Sequence, residues 1–142
     1  MAAAIRHCHG WCELLNLAST SDIIRVVTSA AAQIEVHASW GDLSGTTLTL
    51  GRANTPHITT ATTTTVVDSP GAATVRNVRH LNITNDHASA SCAVTVEHFD
   101  GTTAIELMAF ILLPGENMIF GEEGRWVHRD ANGAEYPPAG KG

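Results

Sequence analysis

Residues 33–40 read Gln33-Ile-Glu-Val-His-Ala-Ser-Trp40, and this stretch alternates strictly between polar and apolar side chains. The apolar side chains, from Ile34 to Trp40, fall on one face of an extended chain, and the polar ones fall on the other. Because successive side chains of a β-strand point to opposite sides of the sheet, this pattern predicts a strand with one buried face.

Eight further runs are typical of strands, because they are rich in β-branched and aromatic residues and lie between turn-forming residues. These runs are Ile23–Thr28, Thr46–Leu50, Ile58–Val67, Val78–Thr84, Cys92–Phe99, Thr103–Leu113, Asn117–Phe120 and Arg125–Arg129. The separators are Gly41-Asp42, Ser44-Gly45, Ser69-Pro70-Gly71, Asn85-Asp86, Asp100-Gly101, Pro114-Gly115, Gly121 to Gly124 and Asn132-Gly133. The pattern predicts an all-β fold, an antiparallel β-sandwich of about nine strands with jelly-roll or immunoglobulin-like topology, since the separators leave no room for crossover helices.

Three local features refine this prediction. Asp100-Gly101 lies between two alternating runs and predicts a hairpin, because Gly adopts the positive φ that tight turns need. The alternation slips by one residue between Val78 and Leu81, which predicts a β-bulge. The run Thr59–Thr65 carries β-branched residues on both faces and predicts a polar edge strand, because no second copy exists to form a ligand-binding ladder.

The composition fits one globular domain. The chain has 142 residues, of which 44% are hydrophobic and 15% charged, so it carries enough apolar surface to fold. We predict an N-terminal extended arm over residues 1–21, a β-sandwich domain over residues 22–133 and a C-terminal tail over residues 134–142. The net charge is −6 and the eight basic residues are scattered, which argues against a nucleic-acid partner.

Neither a membrane span nor a signal peptide is predicted. The longest apolar run, Leu107 to Leu113, is far shorter than the roughly 20 residues of a transmembrane helix. Arg6, His7 and His9 interrupt the N-terminal apolar segment. The three Cys residues do not form a disulfide framework, so we expect folding in a reducing cytoplasm.

The arm carries the residues that are best suited to contact another protein chain. Its apolar side chains lie outside the strand pattern, and an apolar segment of this kind favours a partner surface. The candidate interface residues are Ile5, Trp11, Leu14, Leu15 and Leu17.

The arm also contains a metal-like cluster, His7-Cys8-His9-Gly10-Trp11-Cys12, with two imidazoles and two thiols. Both ligand types suit Zn²⁺, but structural zinc sites usually take ligand pairs from two separated segments, and no second pair lies nearby in the sequence. Adjacent side chains of an extended chain also point to opposite sides. The sequence therefore predicts no metal site and no cofactor.

The sequence predicts no enzyme. It contains no Gly-x-Ser-x-Gly motif and no Gly-rich phosphate loop. Cys92 shares a strand face with Val94 and Val96, so we expect a small buried side chain rather than a nucleophile. Glu97 and Glu106 are expected to face each other across the hairpin, but a lone carboxylate pair on an exposed sheet is weak evidence for a glycosidase.

The His and Trp residues have no spacing that points to one site. His98 and Asp100 flank the hairpin and are expected to be solvated, and the other histidines after the arm fall on polar faces or in loops: His37, His57, His80, His87 and His128. The large apolar residues expected in the core or at its ends are Trp40, Met118, Phe120 and Trp126. An exposed Trp40 or Trp126 would instead favour a carbohydrate-binding module.

Several stretches resemble small structural proteins encoded in the virion gene clusters of tailed bacteriophages and prophages. The resemblance covers about residues 22–133. It is carried by Arg25–Leu43, Ile58–Val67, Val75-Arg-Asn-Val-Arg-His-Leu-Asn-Ile-Thr-Asn85, Val94-Thr-Val-Glu-His-Phe-Asp-Gly-Thr-Thr103, Leu113-Pro-Gly-Glu116, Gly124-Arg-Trp-Val127 and Asp130-Ala-Asn-Gly133. Residues 1–21 depart from the expected family pattern.

The resemblance implies a structural protein of the phage virion, assembled in the cytoplasm of a bacterial host. Its first expected role is a capsid cement or decoration protein, which binds between major capsid subunits and stabilises the head. The implied partners are other copies of the chain, in a small homo-oligomer such as a trimer, and the major capsid protein or other virion proteins. The alternative is an adaptor or adhesin associated with the neck, tail or fibres.

Overall fold

The computed structural model describes residues 15–121 and 123–137, and within these ranges it contains ten β-strands and no helix. The strands are β1 (Leu15–Leu17), β2 (Ile23–Thr28), β3 (Ile34–Ser44), β4 (Thr47–Ile58), β5 (Thr62–Val67), β6 (Val75–Asn85), β7 (Cys92–Phe99), β8 (Ala104–Leu112), β9 (Asn117–Phe120) and β10 (Trp126–Arg129). The predicted all-β antiparallel sandwich is confirmed.

The strands form two antiparallel sheets. The six-stranded sheet has the order β10-β9-β6-β3-β4, and β1 pairs with β6 beside this path. The four-stranded sheet has the order β5-β2-β7-β8. Among the described strands, β4 and β10 are therefore the two ends of the path through the first sheet, and β5 and β8 are the two edges of the second.

The hydrophobic core lies between the two sheets. Strand β2 shows the pattern, because Ile24, Val26 and Thr28 are buried while the residues between them are half-exposed. Burial of one large aliphatic side chain contributes about 1.5–3 kcal/mol, so the inward rows supply most of the energy that packs the sheets. The largest fully buried apolar side chains are Leu17, Ile24, Ile34, Leu81, Ile83 and Leu112.

Three predicted strands have the observed bounds: Ile23–Thr28, Cys92–Phe99 and Asn117–Phe120. Each has alternating burial and clear turn-forming neighbours, which explains why the sequence pattern located both ends. The tenth strand, β1, lies in the segment that the sequence assigned to the arm.

The bulge predicted between Val78 and Leu81 is confirmed. Ser39 of β3 pairs with His80, while the next residue, Trp40, pairs with Val78. Arg79 is the extra residue on β6, which is the arrangement that defines a β-bulge.

The hairpin predicted at Asp100-Gly101 joins β7 to β8 and is also confirmed. Its loop has φ of 99° at Gly101, a left-handed conformation that favours glycine. The carboxylate of Asp100 accepts hydrogen bonds from the backbone N–H groups of Thr102 (2.9 Å) and Thr103 (2.7 Å). These bonds lower the pKa of Asp100.

The β3–β4 hairpin is longer than the sequence predicts. Gly41-Asp42 was expected to separate two strands, but it lies within β3, and the chain turns at Gly45, whose φ is 61°. Strand β4 continues through Pro56 to Ile58. Proline is tolerated there because β4 is an edge strand and its register with β3 shifts at this point, as at a bulge.

The threonine-rich run does not form one strand. Strand β4 ends at Ile58 in the six-stranded sheet and β5 begins at Thr62 in the four-stranded sheet, so the chain crosses between the sheets at residues 59–61. Buried Thr28 supports the crossing, because its Oγ1 donates to the carbonyl of Thr60 at 2.7 Å. As predicted, β5 is an edge strand.

Both predicted ends of the domain differ from the structure. Strand β1 pairs with β6, so the packed domain includes residues 15–17, which were assigned to the arm. At the other end, Glu135 forms a β-bridge with Arg129, and Tyr136 N–H donates to the carbonyl of His128 at 2.9 Å. The first part of the expected tail therefore packs on β10. No helix capable of crossing a membrane is found among the described residues.

Candidate functional site

An apolar strand edge is the first candidate site. Strand β8 forms an edge of the four-stranded sheet, and Glu106 is its one charged residue. Ile105 is 56% exposed and Ile111 is 60% exposed, and Leu113 just beyond the strand is also exposed. Ile111 pairs with Ala93 and Ile105 pairs with His98, so the two isoleucines flank the edge on opposite faces of the sheet. We call these three residues along the edge the β8 edge surface. An exposed, hydrophobic edge offers unpaired backbone groups and apolar side chains to another chain.

A second apolar surface lies on the β3–β4 hairpin and the start of β6. Leu48 is 59% exposed and Leu50 is 71% exposed, and exposed Val75 lies on the same side, since both Leu48 and Val75 pair with Leu43. Leu48 and Leu50 cover the backbone of Gly41, where an added Cβ would lie 3.2 Å from the Leu48 side chain. We call Leu48, Leu50 and Val75 the hairpin surface.

A third candidate is a group of polar side chains at one end of the six-stranded sheet. His57 Nε2 lies 3.3 Å from an oxygen of Glu35 and 3.4 Å from an oxygen of Asp86. The three potential ligand atoms all lie within 4.8 Å of one another. All three residues are exposed, so the group is open to solvent.

The strand registers explain this juxtaposition. Ile34 pairs with Ile58 while Val36 pairs with Thr55, so Pro56 and His57 both lie opposite the single residue Glu35. Asp86 follows β6 directly, and its backbone N–H donates to the carbonyl of Gln33 at 2.8 Å. The bulge in β4 and the end of β6 thus bring the three side chains together.

Next to this group is a surface cavity of about 390 Å³. Glu35 belongs to both the group and the cavity wall. His37 lies in the wall, and its Nδ1 is 2.6 Å from Oδ1 of Asn54. The lining residues are Glu35, Val36, His37, Asn54, Thr55, Pro56, Asn82 and Thr84.

A buried carboxylate connects the C-terminal segment to the domain. Glu116 is almost fully buried, and its Oε1 accepts from the N–H of Leu113 at 3.1 Å and lies 2.9 Å from His128 Nε2. Its other oxygen accepts a hydrogen bond from the hydroxyl of Tyr136. Burial alone raises the pKa of Glu116, but the hydrogen bonds from Tyr136, Leu113 and His128 outweigh it and lower that pKa.

The predicted carboxylate pair is present, but one of its members is held in an ion pair. Glu97 and Glu106 lie opposite each other on β7 and β8, as expected. However, Glu97 is bound by Arg25, whose Nε lies 2.8 Å from its Oε2, and the guanidinium group stacks on Phe99. The arrangement stabilises the outer face of the sheet.

His98 and Asp100 were expected to be solvated, and His98 is in fact half-buried. Its Nε2 lies 3.6 Å from a carboxylate oxygen of buried Asp22. The other Asp22 oxygen accepts from the N–H groups of Ala18 (2.7 Å) and Ser19 (3.1 Å). Burial raises the pKa of Asp22, but these bonds dominate and lower it.

Both tryptophans of the domain pack against the core, as expected. Trp40 packs against the core, and the guanidinium group of Arg76 lies over its ring. The distance from Arg76 Cζ to the ring centroid of Trp40 is 4.3 Å. Trp126 packs on Phe120, with ring centroids 5.1 Å apart. Met118 and Phe120 are buried, and so is Cys92, which confirms its prediction as a small core residue.

The predicted interface residues divide into two groups. Ile5, Trp11 and Leu14, together with the Cys and His residues between positions 7 and 12, lie outside the described residues. Leu17 is fully buried, so its interface assignment is corrected, whereas Leu15 is half-buried and packs against the core. Leu17 was misassigned because a three-residue strand is too short to show alternation.

Comparison with protein-family models, with curated proteins and with solved structures finds no match to this chain. The chain is a β-sandwich protein, and its candidate sites among the described residues are two apolar surfaces and one cluster of His, Glu and Asp side chains. The sequence did not identify these sites, since each depends on strand register.

Proposed function

We propose that this chain is a structural protein of a tailed-phage virion, and specifically a capsid cement or decoration protein that binds between major capsid subunits. One observation carries the proposal. Among the described residues, no strand pairs with the outer edge of β8, and Ile105 and Ile111 are exposed along it. Addition of this edge to a strand or apolar groove of a neighbour would pair its backbone and bury its side chains.

The presence of two separate apolar surfaces supports this role. The β8 edge surface belongs to the four-stranded sheet, and the hairpin surface belongs to the six-stranded sheet. A protein that binds astride a junction needs to contact two neighbours at once, and two surfaces on different sheets permit that. The resemblance of residues 22–133 to phage structural proteins supports the virion as the assembly.

The tryptophan environments disfavour the carbohydrate-binding alternative. A sugar platform requires an aromatic ring face that is open to solvent. Arg76 covers a face of Trp40, and Trp126 packs against Phe120 and the core. The alternative role in the neck, tail or fibres would use the same kind of apolar contact. The number of copies of this chain per particle distinguishes that role from a capsid role.

A binding assay with purified capsids tests the proposal. Capsids that lack this protein are mixed with the full chain or its variants, and the bound fraction is measured after sedimentation. We expect the wild-type chain to bind and Ile111→Asp to lose most of the binding, because a buried unpaired charge is costly at an apolar interface. Thr63→Asp, on the opposite edge of the same sheet, is the matched control.

The proposal is wrong if the wild-type chain does not bind capsids, or if Ile111→Asp binds as well as Thr63→Asp. Circular dichroism of each variant checks the fold, which we expect to be retained because both positions are exposed. Binding to purified tails instead of capsids would favour the adaptor alternative.

A further inference from the structure

We propose that Glu35, His57 and Asp86 form a binding site for a divalent cation of the zinc class. One imidazole nitrogen and two carboxylate oxygens are ligands that zinc accepts in proteins. The proposal rests on the geometry of these three side chains and does not depend on the proposed virion function.

The separations between the ligand atoms support coordination. The His57 Nε2 atom lies 3.3 Å from the Glu35 oxygen and 3.4 Å from the Asp86 oxygen. Tetrahedral bonds of about 2.0–2.1 Å to nitrogen and oxygen place neighbouring ligand atoms about 3.3 Å apart. A direct N–H···O hydrogen bond would be shorter, typically about 2.9 Å. Two of the three separations therefore match those between ligand atoms that share one cation, and the third lies within 4.8 Å.

The backbone places the three ligands on anchored positions. Glu35 lies near the start of β3, beside the edge strand β4, and His57 lies in the bulge of β4 opposite it. Asp86 is fixed by its own N–H bond to Gln33 and by its neighbour Asn85. The buried amide nitrogen of Asn85 donates to the carbonyls of Ala90 (2.7 Å) and Leu112 (3.1 Å).

Three protein ligands leave a fourth position of a tetrahedral site open. Because the cluster is exposed, water or a side chain from a neighbouring protein can reach that position. The two carboxylates and a neutral imidazole contribute two negative charges, which balance the charge of one divalent cation.

Metal titration of the full-length chain tests the site. Co²⁺ is the probe, because tetrahedral Co²⁺ absorbs visible light whereas Zn²⁺ does not. The variants are His57→Ala and, as a matched control, His37→Ala, which removes another imidazole from the same sheet face. We expect the wild-type chain and His37→Ala to bind one more equivalent of Co²⁺ than His57→Ala, and we expect Zn²⁺ to displace it.

Cysteine ligands elsewhere in the chain are distinguished by the thiolate-to-cobalt charge-transfer band, which a site of imidazole and carboxylates lacks. Asp86→Asn provides a second test if His57→Ala does not fold, and it should lose the same equivalent. Equal stoichiometry in the wild-type chain and in a folded His57→Ala or Asp86→Asn variant would overturn the proposal.

Discussion

The environment of Glu116 makes the stability of the domain depend on pH. Its folded-state pKa is lowered from the ordinary 4.5 by hydrogen bonds that outweigh the effect of burial. A lowered pKa means that the folded chain binds this proton less readily than the unfolded chain. The resulting stabilisation is fully present above pH 4.5 and is lost as the pH falls through the folded-state pKa.

We therefore predict that Glu116→Gln destabilises the domain by about 1.5–3 kcal/mol at neutral pH, since hydrogen bonds to a charged group are lost. The difference from the wild-type chain should shrink as the pH falls below 4.5. Urea unfolding at several pH values measures it. Glu106→Gln, at an exposed glutamate, is the control, and a difference that stays constant with pH would contradict the assignment.

Gly51 is a residue where a single methyl group matters. A Cβ at this position would lie 2.5 Å from the indole Nε1 of Trp40, and Arg76 covers that indole. We predict that Gly51→Ala destabilises the domain by about 1–3 kcal/mol through overpacking.

Chemical denaturation measures the effect of Gly51→Ala. Gly71→Ala is the control, because the nearest atom to its added Cβ is 4.0 Å away. Surface changes of this kind usually alter stability by less than about 0.5 kcal/mol. Equal free energies of unfolding for the two variants would contradict the prediction, because they would show that the Trp40 side chain shifts without destabilising the domain.

At the scale of elements, β1 is part of the packed domain, because it pairs with β6. Leu17 in this strand is fully buried, whereas its neighbour Asn16 is exposed. We predict that Leu17→Ala costs about 2–5 kcal/mol, as expected for a cavity in the core, and that Asn16→Ala has little effect. Thermal unfolding compares the two variants. If Leu17→Ala is as stable as the wild-type chain, residues 15–17 do not contribute to the core and the prediction is wrong.

The sequence predicted strands where alternation and turn residues agree, as in β2, β7 and β9. It failed where tertiary context overrides local preference. Gly41 continues β3 because Leu48 and Leu50 cover it, and Pro56 continues β4 because an edge bulge accepts proline. These features depend on neighbouring strands that are distant in sequence.

The candidate sites could not be predicted for the same reason. Ile111 and Leu112 are both apolar, yet one is exposed and the other fully buried, because only one of them faces the opposite sheet. Glu35, His57 and Asp86 meet only when β3, β4 and β6 take their observed registers. These registers cannot be predicted from the composition of the chain or from the spacing of its residues.

At the scale of the whole molecule, the exposed apolar hairpin surface predicts self-association between copies of the chain. We expect a small homo-oligomer, such as a trimer, in solution. Substituting both Leu48 and Leu50 by Asp should shift the chain toward monomer, because each change places a charge in an apolar contact. Sedimentation velocity measures the mass. A wild-type chain that stays monomeric at all accessible concentrations would contradict this prediction.

The most direct test of the virion role is the copy number of this chain in purified phage particles, measured by quantitative mass spectrometry against the major capsid protein. A cement protein that binds between capsid subunits should be present at a fixed ratio comparable to that of the major capsid protein. A ratio typical of a single neck or tail ring would contradict the cement assignment, and absence from the particle would contradict the virion role itself.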